Sequence, residues 1–313
     1  MGIVLQIGLL VLGFVMLVKG ADWFVEGASG IAGKFGIPQL VIGLTIVAMG
    51  TSAPEAAVSI TAALSGGEGV DLTVGNVLGS NIMNVLVILG LTAVIVPVAI
   101  QKSTLMIELP FMIVISGVFL AIGLAGNVIN RADGILLTVL FVVYMVYLLY
   151  MAKKGKEEVE EAHANKNIWL LLLMTVIGAV LIVFGSDFVV DSASEIAGVL
   201  GVSQRIIGLT IVAFGTSLPE LVTSVTAAKR GKADIAIGNI VGSNVFNILF
   251  VTGITALITP VAFKQNFMVD GLATIGAAVL LLLGVIRKKE LRRPAGAIML
   301  ACYAGYFVYL IMG

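Results

Sequence analysis

Long apolar runs alternate with short polar ones along the whole chain. Uncharged stretches cover 35–54, 72–101, 109–130, 134–152, 167–186, 235–263 and 294–313, each near the roughly 20 residues that carry a helix across a bilayer. The pattern predicts helices near 3–25, 37–64, 72–100, 105–126 and 134–152, then near 168–190, 203–228, 236–262, 267–286 and 294–312. The expected fold class is all-α integral membrane, with ten transmembrane helices in a lipid bilayer.

The chain also repeats itself. Residues 20–55 align without gaps on 185–220 at an offset of 165, identical at 22 of 36 positions. Residues 71–99 align on 234–262 at an offset of 163, identical at 15 of 29. The two-residue change falls in the loop Ser65–Val70, which the second copy shortens to Lys229–Ala233. Five spans per copy is an odd number, so the second copy enters from the opposite face, and a pseudo-two-fold axis in the membrane plane is expected to relate the halves. The predicted organisation is a first five-helix repeat over 1–152, a linker over 153–167 and an inverted second five-helix repeat over 168–313.

Composition narrows the function classes. The chain is 59% apolar and 12% charged with a mean hydropathy of +1.14, outside the range of soluble proteins, so a soluble enzyme is excluded. Zero formal net charge and the lack of a basic stripe with interleaved aromatics argue against a nucleic-acid partner. One cysteine, Cys302, and one histidine, His163, leave no material for disulfide frameworks or cysteine-based zinc sites. Neither a cofactor nor an obligate protein partner is expected. Met1–Val18 lacks a positive n-region and reads as the first membrane helix. With both termini outside, fourteen basic residues fall in inside loops, against Arg131, Arg205 and Lys264 outside; this bias sets the orientation. The polar segment Lys153–Asn167 is expected to be a solvated cytoplasmic linker with His163 on its surface.

Candidate chemistry sits in two doubled motifs. Gly43-Leu-Thr-Ile-Val-Ala-Met-Gly50-Thr51-Ser52-Ala53-Pro54-Glu55 returns as Gly208-Leu-Thr-Ile-Val-Ala-Phe-Gly215-Thr216-Ser217-Leu218-Pro219-Glu220. A glutamate deep in an apolar span is costly, about 2.5–3.5 kcal/mol on insertion scales, and usually lines an ion or substrate path. Pro54 and Pro219 are expected to free the carbonyls of Gly50 and Gly215 and to loosen the helices around Ala48 and Ala213. Thr51 and Ser52 lie one turn before Glu55, so both hydroxyls neighbour the carboxylate. Gly75-Asn76-Val77-Leu78-Gly79-Ser80-Asn81-Ile82-Met83-Asn84, echoed by Gly238–Asn247, supplies the facing wall. Asn76, Ser80 and Asn84 form a polar stripe, and Gly75 and Gly79 allow another backbone to approach. Carboxylate, hydroxyl and carbonyl oxygens make a site for a hard cation. Two carboxylates at low dielectric need cations or a proton; an emptied site resists turnover, which favours obligatory exchange over a channel.

The paired G-T-S-x-P-E and G-N-x-x-G-S-N motifs resemble the two α-repeats of the cation/calcium antiporter superfamily, over essentially the whole chain. The resemblance implies a prokaryotic sodium/calcium exchanger-like protein of the cell membrane, with broken helices 2 and 7 at the centre, working by alternating access. By the same match, Ca2+ is held by Glu55, Glu220, Thr51 and Thr216. Na+ would use Ser52, Ser80, Ser217, Ser243 and the carbonyls of Ala48 and Ala213, with Asn84 and Asn247 completing the centre. Cation/proton members usually carry Glu-His where this chain has Gly79-Ser80 and Gly242-Ser243, so it resembles the sodium-coupled branch. Potassium-dependent members, and some sodium/calcium exchangers, have aspartate where this chain has Asn247, and potassium independence is expected. Exchange of Ca2+ or another divalent ion for H+ stays open as the alternative, and a cation channel is the rival from another class. An intramembrane enzyme is disfavoured, since no span carries a histidine or a His-Glu-x-x-His motif.

Other charges receive plainer readings. Asp22 and Asp187, and Glu26 and Asp191, are repeat-equivalent, and interfacial helix ends with a Lys19–Asp22 pair account for them. Glu108, before Pro110, reads as a carboxylate complementing a helix dipole at the cytoplasmic interface. Cys302 reads as a small apolar filler of the last helix.

Overall fold

The computed structural model describes residues 3–65, 72–155, 167–201, 211 and 213–312. Its helices are α1 (Ile3–Phe35), α2 (Gln39–Thr51), α3 (Ala53–Leu64), α4 (Leu72–Ile95), α5 (Thr104–Gly126), α6 (Arg131–Lys154), α7 (Ile168–Val199), α8 (Ala213–Gly215), α9 (Leu218–Lys229), α10 (Ala233–Ile258), α11 (Phe267–Val285) and α12 (Arg293–Met312). Among the described residues, eight helices are long and apolar enough to cross a membrane, and α2 with α3, bent by 50° at Ser52, makes a ninth candidate. The protein is an all-α, multi-pass integral membrane protein. Most of the expected linker (156–166, with His163), residues 66–71, and 202–210 with 212, where the second copy's second helix is expected to begin, lie outside the described residues.

α1 and α7 run about ten residues past their expected ends, to Phe35 and Val199. Asp22 and Glu26 interrupt the hydropathy of α1, but Gly27, Ala28, Ser29, Ala32 and Gly33 continue it as a buried, small-residue face. The same residue sizes allow close packing. A Cβ on Gly13 would lie 2.8 Å from the Gly185 carbonyl oxygen, and one on Gly20 would lie 2.9 Å from that of Gly178. Contact order 13 to 185, 20 to 178 and 27 to 171 means that α1 and α7 run antiparallel. Because 13 corresponds to 178 and 20 to 185 in the repeat, each contact is the other with the copies exchanged, the isologous pattern of a two-fold axis.

α4 and α10 form the centre, whereas α6 and α12 present mostly exposed apolar side chains, the surface a lipid-facing helix needs. Glycines again set the contacts: Gly90 of α4 meets Gly296 of α12, and Gly253 of α10 meets Gly134 of α6. Four two-residue strands pair antiparallel between the copies. β1 (Val98–Ala99), after α4, pairs with β4 (Glu290–Leu291), after α11; β2 (Val128–Ile129), after α5, pairs with β3 (Val261–Ala262), after α10.

Two minor expectations are corrected. Cys302 is exposed on α12 rather than filling a core, because that helix buries only a narrow strip around Gly296 and Met299. Asp22 is paired not with Lys19 but with Arg230, at 2.9 Å, and Arg230 also reaches Glu26 at 2.7 Å.

Candidate cation-binding centre

Both copies break their second helix at the same place. Ser52 (φ −86°, ψ 8°) and Ser217 (φ −94°, ψ 4°) leave the helical region, and a proline in the first turn restarts α3 and α9. Glu55 and Glu220 therefore lie in the first turns of new helices, where the dipole favours negative charge. Upstream, the chain is also under-wound, with a π-helical turn at Gly43–Val47 running into Ala48. Carbonyls at the breaks accept hydroxyl donors. Gly215, freed by Pro219, accepts from Ser186 Oγ at 2.8 Å, and Ala48, which keeps its helical bond from Ser52 N at 3.0 Å, also accepts from Thr51 Oγ1 at 3.3 Å and Ser243 Oγ at 3.4 Å.

α4 and α10 cross beside these breaks. Asn81 Nδ2 donates to the Asn244 carbonyl and Asn244 Nδ2 to the Asn81 carbonyl, both at 3.2 Å. Asn84 Nδ2 donates to Asn244 Oδ1 at 3.0 Å, and Asn247 Nδ2 to Ser80 Oγ and Asn81 Oδ1 at 3.3 Å. π-helical turns begin at Asn84 and at Asn247, the type of distortion often found at functional sites. Each glutamate is tied to the facing helix through its own backbone: Asn76 Nδ2 donates to the Glu55 carbonyl and Asn239 Nδ2 to the Glu220 carbonyl, both at 3.4 Å.

The carboxylates themselves are 0% exposed. Glu220 Oε1 accepts from Ser52 Oγ at 2.8 Å, a bond between copies, and Glu55 Oε1 accepts from Ser80 Oγ at 3.5 Å. The second oxygen of each has no partner, and neither do Asn84 Oδ1, Asn247 Oδ1 and Ser217 Oγ. Five buried oxygens of one centre thus lack a donor. Buried polar groups in folded proteins are nearly always satisfied, and an ionised carboxylate with one neutral donor costs several kcal/mol. Among the described residues no group of three or more His, Cys, Asp or Glu is suited to a metal. A cation here would meet two carboxylates and otherwise neutral oxygens, the ligand chemistry of Na+ and Ca2+.

Of the residues singled out in the sequence, Ala48, Thr51, Ser52, Glu55, Ser80, Asn84, Ser217, Glu220, Ser243 and Asn247 are buried in the region where α2, α3, α4, α9 and α10 meet. Thr216 is half-buried just before the break. Ala213 is placed as the start of the short turn α8, next to residues outside the described set. Three further elements went unrecognised: the Asn81–Asn244 exchange, the Thr51 Oγ1 bond to Asn239 Oδ1 at 3.0 Å, and Ser59 and Ser224, which anchor Asn76 and Asn239 at 3.3 and 3.0 Å. The available signal was their repetition, since Asn81 and Asn244, Asn76 and Asn239, and Ser59 and Ser224 are identical between copies.

Comparison with known proteins agrees with this geometry. A family model described as sodium/calcium exchanger protein matches residues 5–150 and 170–312. The chain belongs to the sodium/calcium exchanger family. It is 40% identical over 305 residues to CaxA, a candidate antiporter of Alkalimonas amylolytica, covering 94% of this chain and 95% of that one. It is 35% identical over 348 residues to the sodium/calcium exchanger MaX1 of Methanosarcina acetivorans, covering 96% and 97%. The solved sodium-calcium exchanger NCX_Mj, soaked with zero Na+ and Ca2+, superposes with a TM-score of 0.85 at 31% identity, covering 99% of this chain and all of the other. The protein is therefore a membrane cation/calcium antiporter of the prokaryotic exchanger type.

Proposed function

We propose that this antiporter exchanges Ca2+ for Na+ by alternating access around one centre shared by both copies. The observation that carries the reading is the convergence of five unpartnered buried oxygens on Glu55, Glu220, Asn84, Asn247 and Ser217. Ca2+ is held by Glu55, Glu220, Thr51 and Thr216, and neutralises both carboxylates at once. Na+ ions use Ser52, Ser80, Ser217, Ser243 and the carbonyls of Ala48 and Ala213, with Asn84 and Asn247 at the centre. Without either ion, two adjacent buried charges oppose the rearrangement, so movement of the loaded protein in one direction is tied to return with the other ion.

Alternating access rests on ten helices in two inverted five-helix repeats, 1–152 and 168–313, joined by 153–167, with helices 2 and 7 broken. The isologous Gly13–Gly185 and Gly20–Gly178 contacts and the cross-copy pairing of β1 with β4 and β2 with β3 support that arrangement. On the side of the first copy's broken helix the packing is close: Gly238 and Gly242 of α10 are covered by α2, whose Gly43 and Ala48 would crowd any added Cβ. With the basic loops inside, both termini lie outside a prokaryotic cell membrane.

Calcium-45 uptake into proteoliposomes tests the reading. Uptake should follow an imposed Na+ gradient, need no K+, and vanish in Glu55→Gln and Glu220→Gln; uptake following only a proton gradient would reassign the coupling ion.

A further inference from the structure

A second buried acid lies away from the cation centre. Glu108, expected at the interface as a dipole partner, is instead 0% exposed in the first turns of α5. Its Oε1 accepts from Tyr147 Oη of α6 at 2.6 Å, while Oε2 is buried without a partner. Tyr144, one turn before Tyr147, stacks on Phe111 of α5 with ring centroids 5.2 Å apart, and its hydroxyl is likewise buried and unpartnered. On the helices packed against α5, Asp234 of α10 is bonded to Gln101 at 2.7 Å and Asp270 lies at the far end of α11; on α6, Asp133 caps the opposite end, and Lys154 lies over the Tyr150 ring.

We propose that Glu108, with Tyr147 and Tyr144, forms a proton-binding site separate from the cation centre, in which the carboxyl carries a proton exchangeable with water. An ionised Glu108 would be a buried charge with one neutral donor and one bare oxygen, the arrangement that proteins avoid. A proton on Oε2 removes the charge, and Tyr147 continues to donate to Oε1. When the proton leaves to water, the carboxylate keeps the Tyr147 bond but is left as a buried charge with one bare oxygen, so the close α5–α6 contact favours the protonated form. The second copy also pairs an acid on its fourth helix with a tyrosine on its fifth, through the other tyrosine position. Asp270 accepts from Tyr306 at 2.7 Å, and at an offset of 162 Asp270 answers to Glu108 and Tyr306 to Tyr144. The left-handed residues Asn127 (φ 52°) and Lys289 (φ 51°) share that offset. The inference goes beyond ion exchange and does not depend on it.

Infrared difference spectroscopy of the purified full-length protein tests it. At neutral pH the wild type should show a protonated-carboxyl C=O band that shifts in D2O, is lost in Glu108→Gln and moves to higher frequency in Tyr147→Phe. Should Glu108→Gln fail to fold, the Tyr147→Phe shift decides. A wild-type spectrum whose carboxyl bands are unchanged by both substitutions, or a Glu108 band that never shifts in D2O, would overturn the proposal.

Discussion

Ser52 Oγ donates across the repeat interface to Glu220 Oε1 at 2.8 Å, while Ser217, its counterpart, has a buried hydroxyl with no partner. Identical residues in equivalent places thus have unlike surroundings. The difference tracks the packing around them. The first copy's break is also held by Thr51 on Asn239 and by Ser243 on Ala48, both from α10.

Ser52→Ala should therefore cost more than Ser217→Ala in the ion-free protein. Loss of the Ser52 donor leaves Glu220 less satisfied, at about 1–3 kcal/mol, whereas the Ser217 hydroxyl contributes nothing here. Thermal unfolding in detergent without Na+ or Ca2+ checks this; equal shifts would mean that the two breaks are equivalent in solution.

Gly242 makes a packing prediction. A Cβ there would meet Ala48 Cβ and the Leu44 carbonyl oxygen at 2.7 Å, so Gly242→Ala should destabilise the protein by about 1–3 kcal/mol. A lowered midpoint of thermal unfolding in detergent checks this; an unchanged midpoint would mean that α2 gives way at this crossing.

In α1, Gly20→Val should be among the most damaging single changes. Its Cβ would approach the Gly178 carbonyl, Leu181 Cβ and Ile182 N at 2.9–3.0 Å, and backbone atoms cannot yield as side chains do. A loss of several kcal/mol is expected, read as a lowered midpoint or absence of folded protein on size-exclusion chromatography.

Arg230→Gln offers the contrasting case. Its ion pairs with Asp22 and Glu26 are about one-third exposed, so the stability change should be about 0–1 kcal/mol. A midpoint shift matching that of Gly20→Val would show that α1 is held by charge rather than by packing.

Much of this was legible in the residues themselves. Apolar runs of membrane length located the spans, and the doubled motifs placed Glu55 and Glu220 at the breaks, because proline chemistry and intramembrane charge leave few alternatives. Where helices end was less legible: Asp22 and Glu26 lower hydropathy within α1, yet its small-residue face continues the helix to Phe35. The unequal settings of Ser52 and Ser217 were invisible, since sequence symmetry cannot report which conformation is adopted. Glu108 was misread because a carboxylate beside a helix-starting proline suits an interface, and only the fold brings Tyr147 to it, 39 residues away.

The central claim is that one centre, built on Glu55 and Glu220, binds both ions. Equilibrium binding of calcium-45 to the purified protein tests it most directly, in wild type, Glu55→Gln and Glu220→Gln, with Na+ or K+ as competitor. The account predicts that each substitution weakens Ca2+ binding by at least about 100-fold, the equivalent of roughly 3 kcal/mol for one lost partner in a buried charge cluster, and that Na+ but not K+ displaces Ca2+ from the wild type. Wild-type affinity in either variant, or Ca2+ binding indifferent to Na+, would contradict it.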